Sequence, residues 1–363
     1  MLSILRLTFL KKFFQDKKKL FLLVIFLLGC QPTEHKNIFQ TMQWSLYYNA
    51  KFYETHKINT EAHIHHKKDY YKYTGKDIKI VIIDDGLDVN HEELNKVIIK
   101  TWDLTTKTSN VEHTYQMDYH GTAVTGIISA QDNTKGIRGL APNSKIYFLK
   151  HKPNMTSSEI LELLHKANSY NPDIINCSWG TYNVSKSVKN KIQTMAREGR
   201  KGKGIVFVWA SGNNEQDIEN DESAIKEVIA VGSTNKNNKL SYLNNYGEEL
   251  DILAPGGDFQ LGITTLDPMS TNGIGSIEDN YILPYDDIAF DGTSASAPIV
   301  TAIVAIMLEL NSNLTNNEVY NILTKNTDKI GDEEYINGHN IFYGYGKINL
   351  SKIIDYIRKE ERE

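Results

Sequence analysis

Three residues set far apart in this 363-residue chain carry the most chemistry. They are Asp84 in Asp84-Asp85-Gly86, His120 in His120-Gly121-Thr122, and Ser294 in Gly292-Thr293-Ser294-Ala295-Ser296-Ala297-Pro298. A serine hydroxyl is a weak nucleophile until an imidazole takes its proton. That imidazole in turn needs a carboxylate to fix its tautomer and stabilise its charged form. Residues so distant in sequence meet only through a fold, so the elements around each one decide whether they can act together.

The acid ends a strand: residues 78–83 are apolar and rich in β-branched side chains, the run stops at Asp84, and Gly86 permits a turn. The base opens a helix, with the small and apolar run 123–130 behind it. Ser294 opens another, with Pro298 expected in its first turn and the apolar run 299–310 continuing as a buried helix. A helix amino terminus favours negative charge developing beside the serine. Further strands are predicted at 145–149, 173–177, 205–210 and 228–231, and helices at 157–169, 187–198 and 316–324. This alternation predicts an α/β fold, a doubly wound and mainly parallel sheet flanked by helices in one catalytic domain, with its cleft at the carboxyl edge. Residues 258–291 show no clear period and are expected to form surface loops near the serine.

With Cys177-Ser178-Trp179-Gly180 and Phe207-Val208-Trp209-Ala210-Ser211-Gly212-Asn213, these motifs resemble the subtilisin superfamily of serine proteases from about Gln43 to Gly346. They are most similar to its kexin and furin branch. The resemblance implies that Ser294 is the nucleophile, His120 the general base and then acid, and Asp84 the carboxylate that orients His120. It places Asn213 and the backbone N–H of Ser294 in an oxyanion hole, although Asn213 also reads as a turn former after Gly212. An extended substrate would add as a strand against Ser178-Trp179-Gly180. Trp179 alone reads as core, and Gly180 beside it favours a backbone site of close approach. By the same resemblance Asp85 would contact a basic substrate side chain. Asn220 falls where the branch has an acidic pocket wall, and a shift of one residue would put Glu219 or Asp221 there instead.

Residues 132–142 resemble the family's calcium loop, with side chains of Asn133 and Glu93 and carbonyls of Gln131, Lys135 and Ile137 as the implied ligands. The alternative is a turn without metal, because Lys135 adds positive charge. No organic cofactor is implied. His63, His65 and His66 form no complete ligand set and read as a solvated segment. The acidic run Glu215, Asp217, Glu219, Asp221 and Glu222 likewise reads as a solvated loop.

Residues 1–29 carry six cations against Asp16, a net of +5, so without them the formal charge goes from −5 to −10. Such a protein is a poor partner for nucleic acid. The apolar run 20–28 follows three lysines and ends at Gly29-Cys30, as in a secretory signal. Leu27-Leu28-Gly29-Cys30 resembles a bacterial lipobox, which implies a lipid-modified Cys30 and attachment to a membrane of the bacterial cell envelope. The expected organisation is a signal over 1–29, a tether over 30–42, a peptidase domain over 43–355 and a polar tail over 356–363, acting as a monomer. The family's long propeptide and the kexin branch's β-rich domain are expected to be missing. Cys177 is then a lone thiol. The functional expectation is a lipid-anchored serine endopeptidase with a preference for basic residues. Its alternatives are a dedicated maturation protease for an exported precursor or leader peptide, and a non-catalytic lipoprotein that binds peptides.

Overall fold

The computed structural model describes residues 39–114, 118–269, 273–274 and 280–360. The segment that carries Cys30 and the signal lies outside them. The sheet is built on β1 (Lys79–Asp84), β2 (Ile98–Asp103), β3 (Lys145–Lys150), β4 (Ile174–Cys177), β5 (Val206–Ala210), β6 (Val228–Thr234) and β7 (Ile252–Pro255). The short strands β8 (Thr265–Leu266) and β9 (Tyr281–Ile282) form a separate pair, and β10 (Thr327–Asp328) and β11 (Lys347–Ile348) extend the main sheet. Its order is β10-β11-β7-β6-β5-β4-β1-β3-β2, parallel throughout except between β10 and β11. The order reverses at β1, which lies between β3 and β4, and a cleft opens beyond the strand ends at such a point.

Seven helices are described: α1 (Ala50–His56), α2 (His120–Ser129), α3 (Ser157–Ser169), α4 (Lys186–Gly202), α5 (Thr293–Leu310), α6 (Asn316–Lys325) and α7 (Leu350–Glu360). Ile80 and Ile82 of β1 join the core shared with α2, α5 and α7, whereas Val81 and Ile83 join the core under α3 and α4. Burial on both faces explains why this strand is a continuous apolar run and not an alternating one. The start of α3 at Ser157 follows from a capping box, in which the Thr156 side chain and Glu159 satisfy each other's backbone N–H groups. The regular part of α4 ends at Glu198, since Gly199 has a ψ of 173° and Arg200 and Lys201 are left-handed.

Four expectations are corrected. Pro298 lies in the second turn of α5 and not the first. Its missing N–H frees the Ser294 carbonyl, which accepts from Ser178 Oγ at 3.2 Å. Residues 258–269 and 280–291 are largely interior: Leu261, Ile263, Leu266, Ile282 and Phe290 are buried, and Thr265 Oγ1 donates to the Ala123 carbonyl of α2. Buried polar residues interrupt the periodicity there without exposing the chain. The domain also extends past both expected edges. Phe39 donates its N–H to Gly136 O at 2.7 Å, and α7 carries buried Ile357 to Glu360, its apolar side formed by Ile353, Ile354 and Ile357. His63 and His66 are buried and not solvated, with the His66 ring centroid 4.9 Å from those of Tyr47 and Tyr71. Burial, with Arg138 and His63 nearby, lowers His66 to about 3, so it packs as a neutral aromatic ring.

Candidate active site

Three elements carry the three side chains. Asp84 ends β1 at the point of reversal, His120 is the first residue of α2 and Ser294 the second of α5. His120 Nδ1 lies 2.8 Å from Asp84 Oδ1, which also accepts the Asp85 N–H at 2.9 Å. Asp84 is 1% exposed, and the Phe290 ring meets the imidazole edge to face at 5.2 Å. Held by a buried carboxylate at Nδ1, the imidazole presents Nε2 as the proton acceptor. Ser294 Oγ donates to the Ser178 carbonyl at 3.2 Å, so nucleophilic attack requires the hydroxyl to turn its proton to His120.

Two donors converge beside the serine. Thr293 N–H donates to Asn213 Oδ1 at 3.0 Å, which orients the amide so that Nδ2 is left as a free donor. A Cβ at Gly292, where φ is 76°, would lie 2.8 Å from Asn213 Oδ1, so only glycine lets the amide sit against this loop. The Ser294 N–H is in the first turn of α5, where the helix supplies no acceptor.

A cavity of about 120 Å³ lies next to the serine, lined by residues 178–180 on one side and 210–214 on the other, with Tyr182 and Asp221 also contributing. Trp179 is anchored in the core beneath it: its indole donates to Ile83 O at 2.8 Å and meets the Trp209 ring at 4.9 Å. A Cβ on Gly180 would lie 2.5 Å from Asp221 Oδ2, so glycine is what lets the strand pass over this carboxylate. Asn220 does not line the cavity. Its side chain is exposed, and Asp221, the next residue, turns inward as the cap of a short 3-10 turn over residues 222–224. Asp221 and Glu222 are buried at 2% and 0% exposure, unlike the solvated loop expected, while Glu215, Asp217 and Glu219 are exposed.

Burial alone would lower His120, but the charge and hydrogen bond of Asp84 and the charge of Asp85 outweigh it and lift the imidazole to about 9. Asp85 is itself raised to about 7, by burial and by Asp84, and its Oδ1 accepts the Gly121 N–H at 2.9 Å. It therefore anchors the start of α2 as well as facing the site. A base must be neutral to accept a proton, so on the expectation that His120 serves as the base in peptide cleavage, kcat/KM should rise with pH through an ionisation well above the ordinary 6.5 of imidazole. Asp85→Asn keeps the acceptor for Gly121 and removes the charge, and should move that midpoint downward. A pH series on both proteins checks this, and a midpoint unchanged by the substitution would contradict it.

The residues matched to the calcium loop also come together. Glu93 is buried, with Oε1 accepting the Tyr281 hydroxyl at 2.9 Å and Oε2 without a hydrogen-bond partner of good geometry among the described residues. Burial raises this carboxyl to about 7, against the hydrogen bonds it accepts. The Gln131 N–H donates to Glu93 O at 3.0 Å, Asn133 Oδ1 accepts the Lys135 N–H at 3.0 Å, and the Lys135 ammonium turns away to pair with Glu92. A buried carboxylate with one oxygen lacking a well-formed hydrogen bond, beside the Asn133 side chain and the Ile137 backbone, fits a hard cation.

No sequence motif points to Tyr182, whose hydroxyl bridges the two walls of the cavity by donating to Asn214 Oδ1 at 2.6 Å. Cys177 is fully buried, and burial raises its thiol well above the ordinary range, which leaves it unreactive.

Comparison with known proteins agrees with this architecture. A model of the subtilase family matches residues 75–346. The chain is 27% identical to a calcium-dependent protease of Nostoc sp., an alignment that covers 90% of this chain and 53% of the relative. It is 28% identical to subtilisin E of Bacillus subtilis, over 77% of this chain and 66% of that one. The chain thus spans about half the length of the calcium-dependent proteases it matches. A solved protease of Pseudoalteromonas arctica superposes with a TM-score of 0.68 at 21% identity, covering 89% of this chain and 99% of that one.

Proposed function

The chain belongs to the subtilase family, and from that premise we propose that it is a serine endopeptidase that cleaves extended protein segments through an acyl-enzyme. The observations that carry this reading are the 2.8 Å contact between His120 and Asp84 and the Asn213 amide held by Thr293, the residue before Ser294. In the first step Ser294 Oγ bonds to the scissile carbonyl carbon while His120 Nε2 takes the hydroxyl proton. The tetrahedral oxyanion is received by Asn213 Nδ2 and the Ser294 N–H. Collapse breaks the C–N bond, and His120 returns its proton to the departing amine. Water then repeats the sequence and releases the acid.

Substrate lies along residues 178–180, with the side chain before the scissile bond in the cavity that Asp221 lines. Asp221 is 2% exposed and has no cationic partner among the described residues. A buried carboxylate of this kind discriminates strongly for a cation, so the residue before the scissile bond is basic. Asp85 supports a second basic residue one position upstream. Profiling a peptide library with the purified chain, against a Ser294→Ala control, tests both statements. Large apolar residues at both positions would overturn the basic preference and leave the peptidase reading standing.

Calcium fits the 131–137 loop, held by Glu93, Asn133 and the carbonyls of Gln131, Lys135 and Ile137, where it would neutralise a buried carboxylate and brace the fold. Glu93 rises from an ordinary 4.5 to about 7 on folding. A carboxyl so raised stabilises the fold below about 4.5, and this contribution is lost as pH climbs through about 7. A cation that binds the ionised form offsets that loss, by about 2.7 kcal/mol when present at about 100 times its Kd. Calcium should therefore raise Tm over chelator by several degrees at pH 8 and much less at pH 5, and Glu93→Gln should abolish the difference. Equal Tm values with calcium and chelator at pH 8 would leave the loop a plain turn.

The basic and apolar segments before Gly29-Cys30 support export to the bacterial cell envelope and anchoring through an acylated Cys30. Metabolic labelling with a fatty acid, lost in Cys30→Ala, tests this.

A further inference from the structure

We propose that the Tyr182–Asn214 latch restricts the substrate cavity and makes it select lysine over arginine before the scissile bond, an inference that rests on the peptidase reading and on Asp221 as the cavity's anion. Tyr182 and Asn214 come from the two walls, and their 2.6 Å hydrogen bond joins those walls across a cavity of only about 120 Å³.

The latch is held in place from behind. The Tyr182 N–H donates to Asp221 Oδ2 at 2.9 Å, and the Thr181 N–H and hydroxyl donate to the two oxygens of Glu222 at 3.0 and 2.7 Å. Tyr182 is left-handed at a φ of 57°, a conformation this pair of carboxylates maintains. A Cβ at Gly212 would lie 3.1 Å from the phenol oxygen, so the ring rests against the opposite wall. Burial and the charge of Asp221 raise the phenol, which keeps it a neutral donor to Asn214.

The anion in the cavity suits a point charge better than a fork. Asp221 Oδ2 already accepts the Tyr182 N–H, and Oδ1 accepts the Ser223 N–H at 3.0 Å. Bidentate pairing with guanidinium needs a free edge of both oxygens, and each oxygen here has given one lone pair to the backbone. An ammonium has three rotatable donors and needs only one lone pair at a time. It can share them between Asp221 and the phenol oxygen, whose lone pairs remain open when its proton goes to Asn214. The wider, planar guanidinium would have to push the phenol outward and break the latch.

The test uses the full chain and three peptides that differ only in the residue before the scissile bond, lysine, arginine or leucine. Wild type should show kcat/KM for lysine over arginine of about tenfold, the scale of one lost interaction in a closed site. Tyr182→Phe retains the ring and loses the latch hydroxyl, and should bring the ratio to within about twofold. Asn214→Ala breaks the latch from the other wall and should do the same, which keeps the test decisive if either variant fails to fold. Equal use of lysine and arginine by wild type, or a ratio that neither variant changes, would overturn the latch. Preference for leucine over both would overturn it together with the basic preference, while cleavage itself would leave the peptidase reading intact.

Discussion

Ser294→Ala and His120→Ala should each reduce peptide cleavage to background without unfolding the domain, and the double variant should be no worse than either alone. In the proposed mechanism the hydroxyl supplies the bond-forming oxygen and the imidazole carries the proton in both directions, so removing one leaves the other without a task. The expected fall in kcat is on the order of 10⁶-fold, the size established for the same pair of residues in subtilisin. Neither change costs much packing, since His120 has a 26% exposed side chain and Ser294 loses a single oxygen that makes one hydrogen bond of 3.2 Å. Activity measured with circular dichroism on the same samples separates the two effects. Additive losses in the double variant would mean that the residues act independently.

Asn213→Ala should lower kcat by about 10²- to 10³-fold, equivalent to about 2.7 to 4 kcal/mol, a range again known from subtilisin. The amide is fixed by the Thr293 N–H at 3.0 Å before substrate arrives, so in the proposed mechanism it stabilises the oxyanion without reorganising. KM should change little, because a ground-state carbonyl gains less from this donor than the tetrahedral intermediate does. Steady-state kinetics on a single peptide distinguishes the cases. A rise in KM at unchanged kcat would assign Asn213 to substrate binding instead.

The parts of this molecule that are legible in sequence are those where one local signal decides the outcome. The apolar run that stops at Asp84 fixes its strand almost to the residue. The edge strand β2 leaves no such signal, because Ile99 and Lys100 are exposed and its residues never form a buried run. His63 and His66 read as polar and are buried, since Tyr48 and Tyr53 lie by the first ring and Tyr47 and Tyr71 pack around the second, and burial keeps both neutral. Sequence resemblance aligns the acidic wall near Asn220 and leaves Glu219 and Asp221 open as its neighbours. Only the turn capped by Asp221 decides which of two neighbouring side chains faces inward, and no periodicity reports that. Tyr182 is invisible in sequence for a similar reason: its role depends on Asn214, 32 residues away on another strand's loop.

The most direct measurement is covalent labelling of the full chain with a serine-directed phosphonate, followed by mass spectrometry of its peptides. The geometry predicts one phosphonyl group, on Ser294, formed rapidly in wild type and far more slowly in His120→Ala because the imidazole must take the hydroxyl proton. A chain that remains unlabelled at Ser294, or that labels equally fast without His120, would contradict the catalytic reading and leave a peptide-binding cleft in its place.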